Sequence, residues 1–169
     1  MAGRAQHYVS LCCITYLYAA RAGHSIDAGV ETVLGARARA AGKRFGYLET
    51  AEAQIRVLAD LAPADEAHFL AVTIHQLEEG PDQLSALDEP WARGDLATLS
   101  ERLDADWAEA GPAVHDAVII RRNRNWADQI EQRLAGAGSA FITVGAAHLV
   151  GEENVVQLLR ERGVTVEGP

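Results

Sequence analysis

Three residues of this chain have the types and settings for acid–base or metal chemistry: Glu49, Arg122 and His148. His148 ends the stretch "FITVGAAH", where strand-like residues run into Gly145-Ala146-Ala147 and then a histidine. An imidazole at the carboxyl end of a strand can ligate a metal, carry a proton, or close a turn by hydrogen bonding. For a lone histidine the last role is the commoner one. Gly145 and the two alanines let the backbone pass close to something without bulk. Glu49 ends "KRFGYLE", just before a helix. Its carboxylate could serve a ligand at the same kind of edge, or steady the helix N-terminus through the dipole.

Arg122 stands out by helical spacing. His115, Ile119, Arg122, Asn123, Trp126 and Ile130 fall at i, i+4, i+7, i+8, i+11 and i+15, one face throughout. Ile119, Trp126 and Ile130 mark that face as buried, so Arg122 and Asn123 are expected inside. A buried guanidinium needs an anionic partner and several acceptors. The partner expected is Glu49, whether the pair serves a site or is only structural. Arg121 and Arg124 turn away from this face toward solvent.

The other polar candidates are weaker. His68 and His75 share a helix face but lie about 10 Å apart along the axis, too far to share one metal. His75 and Glu79 stand at i, i+4 and read as a solvated pair. Cys12 and Cys13 are adjacent, which suits neither a disulfide nor a metal site. There is no G-x-S-x-G, phosphate loop or dinucleotide fingerprint, so no nucleotide cofactor is expected.

Several elements must position these residues. Helices are expected from about Gln6 to Arg21, over residues 28–42 with Gly42 closing the end, and after Thr50 as N-cap. Residues 63–111 read as helical, broken at Gly80-Pro81, Pro90 and Gly94, with Asp95 capping "LATLSERLDADW". A long helix is expected from about Ala113 to Ala135, and another over "EENVVQLLRERG". "KRFGYLE", "AFITVG" and "VTVE" read as short strands. The resulting expectation is a helix-rich α/β domain. It has a small, mostly parallel sheet of about three strands with crossover helices, and a helical insertion over 63–111 after the first strand.

The chain's 169 residues suffice for one domain, and 49% of them are hydrophobic. A net charge of -9 argues against a nucleic-acid partner. No apolar run is long enough to span a bilayer. A cytoplasmic location is expected, with residues 1–22 as a signal peptide the alternative, since "YVSLCCITYLYAA" follows Arg4 and Ala20-Arg21-Ala22 has the A-x-A form.

In order, "GKRFGYLETAEAQ", "WARGDL", "RNRNWADQI" and "FITVGAAHLVGEENVVQLLRERG" resemble the TraB/PrgY/GumN family from about Gly29 to Val166. The specific parts are L-E-T-x-x-x-Q, R-N-x-x-W and V-G-A-x-H-L-x-G. The family also looks distantly related to the Tiki metalloproteases and to the erythromycin-esterase-like and ChaN-like group. The resemblance implies a hydrolase site, peptidase-like and dependent on a divalent metal. That site has two G-x-x-H motifs, an acid and an arginine. Carried over, it assigns catalytic roles to Glu49, Arg122 and His148, supporting roles to Gln54, Asn123 and Gly145, and metal ligation to His148 and Glu49. Gly145 to His148 is the only G-x-x-H in this sequence. The chain therefore resembles the C-terminal part of the family, without the half that carries the first motif. Two readings follow. The chain is one half of a His/Glu/Arg hydrolase site, completed by a complementary chain or a second copy. Alternatively it is a non-catalytic module that binds a peptide or small molecule and self-associates through an exposed sheet edge.

Overall fold

The computed structural model describes residues 16–17, 19–21, 23–80 and 86–168. The start of the expected helix from Gln6, the Cys12-Cys13 pair, most of the signal-like stretch and the break at Pro81 lie outside the described residues. After a 3₁₀ turn at Ile26–Ala28, the elements are helices α1 (Val30–Ala40), α2 (Ala51–Ala59), α3 (Pro63–Glu78), α4 (Asp88–Arg93) and α5 (Leu96–Ala110). There follow α6 (Pro112–His115), a π-helical turn (Asp116–Ile120) and α7 (Arg121–Leu134). A 3₁₀ turn at Ala146–His148 and α8 (Val155–Glu161) complete them.

The helix ends follow from local chemistry. Thr50 Oγ1 accepts from Ala53 N at 3.1 Å and starts α2. Asp95 Oδ1 accepts from Thr98 N at 3.1 Å and starts α5. Gly42 closes α1 at a φ of 64°. There its N–H donates to Arg39 O and that of Lys43 to Ala38 O, the paired bonds of a Schellman end. Pro90, expected as a break, instead sits in the first turn of α4. A proline is tolerated there because the first-turn N–H groups have no intrahelical acceptor to lose.

The expected parallel sheet is not formed: among the described residues there is no strand. Residues 43–49, 139–145 and 164–168 carry no regular secondary structure, and no ladder joins them. Part of each segment still finds a core, while Phe45, Tyr47, Phe141 and Ile142 stay exposed. Leu48, Val144, Val164 and Val166 pack on Trp126, Ala127 and Ile130 of α7 and on Val155, Leu158 and Leu159 of α8. Their polar groups are met by helices instead of by one another. Gln129 Nε2 donates to Leu48 O at 2.8 Å, Arg133 Nη2 to Tyr47 O at 3.4 Å, and Arg160 Nη2 to Gly168 O at 2.7 Å. Alternating hydrophobicity reports a chain with one buried side, and a helix face can bury that side as well as a sheet can.

A second apolar cluster joins Leu61, Ala110, Val114 and Ala117, with Phe69, Trp107 and Val118 against it. The continuous run from α6 through the π turn into α7 spans both clusters. Arg122 and Asn123 fall between Val118 of one and Trp126 of the other, so the polar residues lie at the seam of two apolar cores.

Candidate functional site

Arg122 reaches this seam in a way the π turn assists. Arg121 N donates to Asp116 O, five residues back. Each carbonyl in such a turn is drawn from its usual i+4 partner. Arg122 Nη1 then donates to Val118 O at 3.0 Å. The helix thus holds its own guanidinium against its surface, stacked over Trp126 with Cζ 4.8 Å from the ring centre.

The expected anionic partner is there. Glu49 Oε1 accepts from Arg122 Nε at 2.9 Å and Oε2 from Nη2 at 3.0 Å, a two-pronged pair. The side chains are 7% and 20% exposed, respectively. Thr50 caps α2, and Glu49 turns its carboxylate to Arg122. The pairing expected with Arg122 is what the geometry of Glu49 serves.

His148 completes the cluster. Its ring is 7% exposed and lies against Trp126, with centroids 4.3 Å apart. Nδ1 stands 2.7 Å from Asn123 Oδ1, and Nε2 stands 3.4 Å from Arg122 Nη1. Asn123 is fully buried, and its Nδ2 donates to Glu153 O at 2.9 Å. Burial, and after it the Arg122 charge, push the imidazole down to about 4, against the upward pull of Glu49. His148 is therefore neutral at physiological pH.

Glu49, Arg122, Asn123 and His148 are thus brought to one point. Gln54 is not among them: it is exposed on α2. Gly145 precedes the turn that carries His148, but a Cβ there would meet only the ring of His148, at an ordinary 3.8 Å. The close passage expected at this glycine is not seen among the described residues. Sequence reasoning missed Glu153, whose carbonyl anchors Asn123 and whose carboxylate meets Arg124. A main-chain acceptor leaves no side-chain signature. It also passed over the buried indole Nε1 of Trp126, which has no acceptor among the described residues.

The residues present do not fit a divalent metal by themselves. A catalytic zinc takes three protein ligands as a rule, and this cluster offers one imidazole and one carboxylate. Both already face the Arg122 guanidinium, whose charge opposes a second cation. No group of three or more ligating side chains occurs among the described residues. A cavity of about 300 Å³ lies elsewhere, between Leu96, Ser100, Leu149, Asn154, Val156 and Arg160, and takes in none of the four clustered side chains. Among the described residues no helix is long and apolar enough to cross a membrane.

No curated protein and no solved structure matched the chain significantly. The profile of the TraB/PrgY/gumN family matches residues 10–168, so the chain belongs to the TraB/PrgY/gumN family.

Proposed function

We propose that this chain supplies one half of a hydrolytic site, with Glu49, Arg122, Asn123 and His148 as its working residues. A second polypeptide segment, from another copy or another chain, brings the rest. The observation that carries this reading is the bridge made by Arg122. One guanidinium holds Glu49 by two bonds and reaches His148, joining residues distant in sequence.

In this reading His148 accepts a proton from water through Nε2 as the water attacks an acyl carbon of a peptide or ester. The proton ends on the imidazole and the electron pair on the carbonyl oxygen. Arg122 faces the developing oxyanion, and Glu49 keeps the guanidinium in place. The separation of 3.4 Å between Nη1 and Nε2 is long for a hydrogen bond, as resting sites often are. The Trp126 indole N–H, buried without an acceptor among the described residues, is a donor left for a group brought by the substrate or the completing segment.

The test is turnover of a mixed peptide and ester library at neutral pH over a range of protein concentrations, beside His148→Gln and Arg122→Met. Turnover that rises more steeply than protein concentration, and is lost in both variants, supports a site completed between copies. Turnover untouched by either substitution ends the proposal. A second reading, a non-catalytic ligand-binding module, is favoured by one fact: Glu49 and Arg122 satisfy each other internally. Absence of turnover at every concentration, with saturable peptide binding, would move the assignment there.

A further inference from the structure

His148 lies in a row of hydrogen bonds whose proton order can be read from its two ends. At one end is Arg122, which has only donors; its Nη1 faces Nε2 at 3.4 Å. At the other end is the main-chain carbonyl of Glu153, which can only accept. The Asn123 amide therefore turns its Nδ2 to that carbonyl, at 2.9 Å. Its Oδ1 is left facing the imidazole, 2.7 Å from Nδ1. An amide oxygen cannot donate, so the proton of this bond belongs to Nδ1. Nε2 then keeps its lone pair, and it faces a donor. Both ends demand the same tautomer.

The fixed point of this row is unusual backbone. Glu153 has a φ of 51°, the one non-glycine residue at positive φ among the described residues. That region is disfavoured for an L-residue, so the surroundings must hold it there. They do so from several directions. Arg124 Nε donates to Glu153 Oε2 at 2.6 Å, and Glu153 N donates to Gln157 Oε1 at 3.2 Å. Next to it Asn154 caps α8, accepting from Gln157 N at 2.9 Å, while its Nδ2 donates to Gly151 O at 2.8 Å. The product of this local strain is a carbonyl aimed into the seam at a fully buried amide.

We propose that Glu153 is a positioning residue. Its left-handed backbone turns its carbonyl onto Asn123, and through that amide it fixes His148 as the Nδ1–H tautomer with Nε2 bare. The proposal deepens the hydrolytic reading, which needs Nε2 as the accepting nitrogen, and gives the reason that nitrogen is free. The backbone conformation does this, and the Glu153 carboxylate does not. With the carbonyl withdrawn, the amide is free to rotate and the ring can take either tautomer. An Nε2–H would then confront the donors of Arg122.

The experiment is long-range proton–nitrogen NMR of His148 in histidine-labelled protein at pH 7. In the wild type, Nδ1 is expected to be protonated and Nε2 not. Glu153→Gly keeps both the carbonyl and access to positive φ while losing the pair with Arg124, and is expected to leave the spectrum unchanged. Glu153→Val disfavours positive φ and is expected to move both nitrogens toward the averaged values of free imidazole. An Nε2–H in the wild type overturns the proposal. So does loss of the tautomer in Glu153→Gly, or its retention in Glu153→Val. If Glu153→Val does not fold, Glu153→Ala, which disfavours positive φ more mildly, takes its place and is expected to move both nitrogens in the same direction. A merely structural role for Glu153 would move the melting temperature in both variants and the tautomer in neither. The expected tautomer in a chain that never hydrolyses would keep this proposal and sink the catalytic reading; turnover with an Nε2–H would do the reverse.

Discussion

Acidification should destabilise this protein through His148, and the sign and size follow from its environment. The native imidazole sits near 4, pushed down from 6.5 by burial and then by Arg122. The unfolded chain protonates the same ring below about 6.5. Between those values the unfolded state binds the extra proton, so stability falls as pH falls. The contribution is fully present above pH 6.5 and is lost by about pH 4. At roughly 1.4 kcal/mol per unit, a gap of this size is worth about 3 to 3.5 kcal/mol when fully developed. That is a large share of the 5 to 15 kcal/mol typical of a domain. Asp106, whose carboxyl is raised by burial and then by Glu109, works in the opposite sense. The comparison must therefore be made against a variant. Urea unfolding of wild type and His148→Gln, run from pH 7.5 to 4.5, should show the wild type losing roughly 2 kcal/mol more than the variant. The His148 proton resonances should stay flat above pH 5.5 in the folded protein. Parallel stability curves, or a His148 that titrates near 6.5, would refute both the sign and the burial on which it rests.

The remaining expectations concern the same seam. Arg122→Leu strands the Glu49 carboxylate in a setting 7% exposed and should cost about 3 to 5 kcal/mol in chemical unfolding, whereas Arg124→Leu removes an exposed pair and should cost under about 1 kcal/mol. Equal costs would mean that the two arginines do not face opposite ways. Trp126→Phe removes a buried donor that has no acceptor among the described residues, and the relief should offset most of the lost packing, leaving a cost under about 1 kcal/mol. By contrast Ile130→Ala should cost about 2 kcal/mol or more. A Trp126→Phe as damaging as Ile130→Ala would mean that the indole N–H finds an acceptor after all.

How far the sequence led depended on which interactions write themselves into residue types. The face through Ile119, Arg122, Asn123, Trp126 and Ile130 was legible because burial on a helix repeats at a fixed angle. The pairing of Glu49 with Arg122 was legible because a buried guanidinium demands an anion. Thr50 and Asp95 were legible as caps because an N-cap needs a side-chain oxygen. The sheet was misread for the complementary reason. Backbone pairing is a relation between segments, and no residue type in "AFITVG" says whether its partner is a strand or a helix face. Pro90 was misread because a proline's effect depends on which turn of the helix it occupies. Glu153 was invisible, since what it contributes is a carbonyl and a dihedral angle, not a carboxylate.

The charge balance of the seam bears on what could complete it. Glu49 and Arg122 cancel, and His148 is neutral, so the cluster carries no net charge to attract a cation. At about 4 Å and an effective dielectric near 20, a divalent ion would be repelled by one guanidinium by roughly 8 kcal/mol. The attraction of a single carboxylate at a like distance only matches that repulsion. Desolvation of the ion would then fall on His148 alone. Zinc added to this chain should therefore leave the melting temperature unchanged at concentrations that saturate a three-ligand site. A saturable rise that disappears in His148→Gln would mean that Arg122 swings away from Glu49 to admit the ion, and this account of the seam would fail. An unchanged melting temperature leaves a definite requirement on a completing segment that carries a metal: it must bring acidic ligands of its own, enough to outweigh the guanidinium already in place.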